Sequence, residues 1–212
     1  MEALLSFFDY FSGSWMDLLE MTYEHIIMVL LGVLFALIVG IPLGILCTGN
    51  KKFESIILAL ANMIQVIPSL ALLAVLMIIF GLGFNTVVIG LFLYSLLPII
   101  RNTVVGLKEV NKESIEAGTG MGMTRLQLLL KVKFPLSLPF VLAGLRIALV
   151  IGIGVATLAP FIGGDGLGRE IIAGINVRDT EKIYGGAIFA AILAILVDYL
   201  LGIVQERIEA KQ

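Results

Sequence analysis

No Lys or Arg precedes Lys51 in this chain, and only 14% of its 212 residues are charged at all. Cysteine is represented once, at Cys47, which excludes an intrachain disulfide and a cysteine-based metal site. Histidine is represented once, at His25 beside an apolar run, where an interfacial residue is a simpler reading than a ligand or a proton relay. The first residues lack the basic stretch, short apolar core and small-residue cleavage site of a secretory signal, so the chain is expected to be retained whole. Also missing are Gly-x-x-x-x-Gly-Lys-[Ser/Thr], His-Glu-x-x-His and Gly-x-Ser-x-Gly. No catalytic residue, metal ligand or bound cofactor is therefore expected, and any ATP must be hydrolysed by another chain. Nothing points to nucleic acid.

What the chain has is apolar length. Hydrophobic residues make up 59% of it, and the mean hydropathy is +1.08, values that belong to an all-α, polytopic membrane protein in a lipid bilayer. Five membrane helices are expected, at about 26–47, 56–80, 86–100, 136–162 and 183–204, because each stretch is long and nearly free of charge. Residues 1–24 alternate acidic residues with Leu, Phe and Trp, which predicts a separate interfacial helix. The third span is short and expected to end at Pro98. Gly40, Pro42 and Gly44 read as a kink or a close helix contact. Asn62, Gln65 and Ser69 in the second span should face protein or water, bonding a neighbouring helix or lining a pathway.

The one long polar interruption is 101–135. Asn111 is a good N-cap for a helix over Lys112–Ala117, and Gly118, Gly120 and Gly122 permit a sharp turn after it. Thr124-x-x-Gln127 is a capping box that starts a second helix, which Pro135 is expected to limit. Leu126, Leu129 and Leu130 lie on a helix too short to bury them, so they need a partner surface.

Glu116-Ala117-Gly118, three residues, Gly122, nine residues and Val132-Lys133-Phe134-Pro135 together resemble the EAA loop of ABC importer permeases. Gly118, Val132 and Phe134 depart from that family's Glu-Ala-Ala and Ile-x-Leu-Pro pattern. Gln65-Val66-Ile67-Pro68-Ser69, Leu97-Pro98-Ile99-Ile100-Arg101-Asn102, Ala143-Gly144-Leu145-Arg146 and Gly163-Gly164-Asp165-Gly166-Leu167-Gly168 extend the likeness to the permeases of Opu-type osmoprotectant importers. The resemblance implies a type I (MetI-like) transmembrane domain forming half of a pathway for glycine betaine, carnitine or choline. It also implies two cytoplasmic ATPase subunits using ATP and Mg, a second permease subunit that is identical or a sister chain, and an extracellular binding protein. Glu116, Ala117, Gly118, Gly122, Leu126, Leu129, Leu130 and Pro135 would then couple the chain to the ATPase. Tyr94, Tyr184 and Tyr199 are scattered, so a quaternary ammonium cage is expected in the binding protein. An amino-acid or other small-solute importer, or a channel or structural subunit, remains open at this point.

Basic residues set the orientation. Ten of them, from Lys51 to Lys133 and at Arg207 and Lys211, fall on one side, against Arg169, Arg178 and Lys182 on the other. The richer side is expected to be cytoplasmic, with the N-terminus outside and the C-terminus inside. The outer segment, with Asp165, Arg169 and Arg178, is expected to dock a delivering protein and gate the outer mouth, or to be a solvated loop with a short helix at Glu170–Ile175. Arg146 and Asp198 lie at similar depths in the fourth and fifth spans, where a pair between them or separate bonds to backbone and water would relieve the cost of burial.

Overall fold

The structure is a computed structural model that describes the backbone of residues 2–210 and the side chains of 10–210. The described residues are helical with no strand: α1 Glu2–Cys47, α2 Lys51–Val66, α3 Ser69–Phe80, α4 Phe84–Glu109, α5 Lys112–Gly120, α6 Arg125–Leu128, α7 Phe134–Ala156, α8 Gly168–Val177 and α9 Thr180–Glu209. A π turn at Leu129–Lys133 joins α6 to α7, and a 3₁₀ turn at Ala159–Ile162 follows α7.

α4 is the central post, with α1, α7, α2 and α3 packed around it. Leu91, Ile99, Ile100 and Thr103 on it are almost wholly enclosed. α1 reaches α4 closely because Gly32, Gly40 and Gly44 face it. A Cβ at these positions would stand 2.5 Å from Leu91 Cβ, 2.8 Å from Ile99 Cγ2 and 2.6 Å from Thr103 Cβ. Gly44→Leu is expected to cost about 1–3 kcal/mol by overpacking this seam. A thermal melt of the detergent-solubilised chain would check it, since an unchanged midpoint would mean the seam yields.

Helix ends differ from those expected in the sequence. The anticipated helix over 1–24 and the first span form one continuous helix. Leu18, Met21, His25 and Met28 repeat at helical spacing and are all buried, so this half of α1 is held by protein. Met21 packs with Leu167 and Ala190, and Phe11 and Trp15 meet Phe189 of α9, tilted and edge-on, with ring centroids 5.4 and 5.9 Å away.

α4 passes through Pro98 to Glu109. A proline removes the amide that would bond the carbonyl four residues back, here Tyr94. Gln65 Nε2 donates to that carbonyl instead, at 3.0 Å, and Asn102 Nδ2 donates to the Pro98 carbonyl at 2.8 Å. The polar group on α2 thus repairs the ladder of α4.

The second expected span is two helices bent by 99°. Pro68 follows Ile67, whose ψ of 128° is extended, as a residue before proline prefers. At one end of this pair Lys108 Nζ bonds Glu54 at 2.7 Å; at the other the Gly83 amide bonds the Ile162 carbonyl at 2.8 Å. The bent pair therefore runs the length of the bundle. Among the described residues four helices, α1, α4, α9 and the rod containing α7, are each long and apolar enough to cross a membrane, and the bent pair makes five where it is taken as one span.

Candidate functional site

The loop between α4 and α7 is built by local chemistry. Asn111 Oδ1 accepts from the Ser114 amide at 2.9 Å and starts α5, which runs on to Gly120. Gly122 then turns the chain with φ +78°, a region that favours glycine. Thr124 and Gln127 close the capping box, with the Thr124 amide 2.9 Å from Gln127 Oε1 and the Gln127 amide 3.3 Å from Thr124 Oγ1. Gly118 is buried at the crossing of α5 and α6, where a Cβ would stand 2.7 Å from Leu128 Cδ1. Its substitution for alanine in the familiar pattern makes room for that leucine.

What this hairpin leaves outward is mixed in character. Glu116 and Ala117 are exposed. Met121, Leu126 and Leu130 are 71, 64 and 57% exposed, too much apolar surface on capped, rigid turns to be idle. Leu129 is half-buried and borders a cavity of about 340 Å³ with Ile45, Leu107 and Leu128. Pro135 does not end the second helix. The π turn at Leu129–Lys133 widens the backbone before the ring, so α6 and α7 form one rod from Arg125 to Ala156.

In the bundle, Arg146 of α7 makes a two-bond ion pair with Asp198 of α9: Nε bonds Oδ1, and Nη2 donates to Oδ2 at 2.7 Å. Gly202 leaves the guanidinium its place, since a Cβ there would stand 3.2 Å from Nη1. Both side chains stay partly open on this single chain, 34 and 44% exposed. Gln65 is committed to α4, Asn62 is exposed and Ser69 is half-buried at the start of α3.

At the opposite end, Asp165 is held from two sides: Oδ1 accepts from the Gly166 amide at 2.8 Å, and Oδ2 from Arg169 at 2.7 Å. α8 then ends at Arg178, which is exposed and has φ +59°, an uncommon conformation for a side-chain-bearing residue. Tyr10 of α1 donates to Glu170 Oε2 at 2.8 Å. Asp165 and Arg169 are thus spent on each other, while Arg178 points outward.

Residues 40–212 match the model of the family described as "Binding-protein-dependent transport system inner membrane component". This chain belongs to that family. A "Carnitine transport permease protein OpuCD" of Listeria monocytogenes serotype 1/2a (strain 10403S) is 46% identical over 206 residues, 97% of this chain and 92% of the relative. The "Glycine betaine/carnitine/choline transport system permease protein OpuCD" of Bacillus subtilis (strain 168) is 47% identical over 203 residues, 95% of this chain and 89% of the relative. Among solved structures, an inward-facing methionine ABC transporter, MetNI, overlays with a TM-score of 0.78 at 22% identity, covering 88% of this chain and 93% of that one. That likeness speaks for the fold.

Family membership makes the chain a multi-pass, non-catalytic permease subunit, whose family works with a separate ATPase and a substrate-binding protein. Sequence reasoning missed Met121, the most exposed apolar residue of the hairpin. Its setting between Gly120 and Gly122 was the available signal.

Proposed function

We propose that the chain forms half of the translocation pathway of an ATP-driven importer for a quaternary ammonium osmoprotectant such as glycine betaine, carnitine or choline. A second permease, identical or a sister chain, supplies the other half about a two-fold axis, and each half presents its hairpin to one of two ATPase subunits that use ATP and Mg. The carrying observation is the capped hairpin with Glu116 beside outward Met121, Leu126 and Leu130. It has the form of a plug for an ATPase groove, on the side that the basic residues assign to the cytoplasm. The named relatives support the substrate class. Expressed with its ATPase and binding protein in cells lacking other uptake, the chain should accumulate a labelled quaternary ammonium solute, in competition with unlabelled ones. Competition by methionine or histidine instead would favour an amino-acid importer.

On the outer face, the α8 segment is the proposed dock for the binding protein, with Arg178 at its rim. Arg178→Glu should weaken stimulation of ATPase by that protein about three- to tenfold at low salt, less as salt rises, with basal hydrolysis unchanged. Unchanged stimulation would remove Arg178 from the dock.

A further inference from the structure

Among the described residues, two enclosed side-chain atoms have no hydrogen-bond partner, Ser95 Oγ and His25 Nδ1. The histidine sits where three parts meet. It is wholly enclosed on α1, its Nε2 lies 3.1 Å from the Ile153 carbonyl of α7, and its other nitrogen faces Gly166 in the Gly163–Gly168 turn. At Gly166, with φ +100°, a Cβ would stand 3.1 Å from Nδ1 and 3.2 Å from Met28 Cε. The carbonyl at Nε2 requires a donor there, so the neutral ring carries its proton on Nε2 and leaves Nδ1 as a bare acceptor. The Gly166 amide is already given to Asp165 Oδ1.

A buried acceptor without a donor disfavours the arrangement that buries it. We propose that His25 is a positioning residue for the outer mouth: its unsatisfied nitrogen holds the Gly163–Gly168 turn poised to leave its seat on α1. Once the turn lifts, water reaches Nδ1 and the deficit disappears, so the histidine tilts the balance toward the lifted turn while its bond to Ile153 keeps α1 on α7. The turn is well placed to matter, because the next residue, Leu167, is wholly enclosed against Met21 and Ala190, and Ile162 before it bonds the Gly83 amide at the head of α4. The inference rests on the outward orientation proposed above.

The test uses the assembled transporter in right-side-out vesicles, with Cys47→Ala and Leu167→Cys giving this chain one thiol, covered while the turn is seated, and labelling is read on this chain after its separation from its partners. A membrane-impermeant maleimide added outside reads the lifting. His25→Leu, which removes the bare acceptor, should slow labelling about fivefold or more, the low end of what an unsatisfied buried group costs. His25→Gln, whose amide keeps a donor for Ile153 and an acceptor beside it, should stay within about twofold of the unmodified histidine. Basal ATPase activity should be the same in all three, which a general loss of packing would not allow. Equal or faster labelling in His25→Leu would overturn the proposal, making the histidine a mere filler or a clamp. If His25→Leu fails to insert, His25→Met carries the same expectation. Labelling only from the inside would refute the orientation, and the ratio between variant and parent, read there, would still decide the role of His25.

Discussion

Glu116→Lys combined with Gly122→Asp is expected to abolish uptake while leaving insertion, yield and the melting curve of the chain nearly unchanged. Both residues are exposed and outside the packed bundle, and surface changes of this kind usually move stability by about 0.5 kcal/mol or less. Gly122 adds backbone strain, since its φ of +78° suits aspartate poorly, but the capping box on Thr124 and the cap on Asn111 are untouched. The loss would come from reversing the charge and misaiming the turn between α5 and α6. Uptake should fall by about two orders of magnitude or to background, as expected when a contact that must form on every cycle is reversed in sign. Copurification of the ATPase in detergent gives the independent reading. A double variant that still transports at the parental rate would remove the hairpin from coupling.

The second large effect is expected inside the bundle. Arg146→Leu and Asp198→Leu should each lower the folded yield, because each leaves the other charge without its partner within a helix long and apolar enough to cross a membrane. Arg146→Leu with Asp198→Leu should recover much of that loss, since an apolar pair fits the surrounding helix faces. The measurement is the monodisperse fraction after detergent extraction across the four members of the cycle. Additive losses would show that the bond is incidental. The paired geometry already makes a point about α9: Ile192, Ile195, Leu196 and Leu200 are all largely open, and the ion pair sets a polar notch among them, bordered by Tyr199 and Glu206.

The hairpin was readable in the sequence because it is governed by contacts three to five residues apart: Asn111 to Ser114, Thr124 to Gln127, and the glycine at the turn. The depth argument for Arg146 and Asp198 worked because helical rise is fixed and the two runs are uninterrupted. Proline was misjudged twice, at Pro98 and Pro135, for one physical reason. Its penalty depends on whether something else bonds the deserted carbonyl or widens the turn: Gln65 does the first from a remote helix, and the π turn just before Pro135 does the second without a sequence signature of its own. The joining of residues 1–24 to the first span was hidden for a similar reason. Acidic spacing suggested an interface, but the stripe from Leu18 to Met28 is buried, with Met21 against Leu167 and Ala190, and Phe11 and Trp15 lie against Phe189, all far along the chain. Tyr10 with Glu170 and His25 with Ile153 are equally remote partners.

The passage of α6 through the π turn into α7 gives a single strut of 32 residues, about 48 Å long at ~1.5 Å per residue. From Phe134 to Ala156 the strut is unbroken helix, so a push that passes the π turn would tilt it rather than compress it. With α4 pressed along its middle as the fulcrum, a tilt of about 5° carries one tip about 4 Å relative to the other, from the rise and length alone. If the hairpin takes the ATPase stroke as proposed, a rigid tilt would return that stroke at Ala156, beside the 3₁₀ turn at Ala159–Ile162, as a first-class lever returns it: reversed in direction.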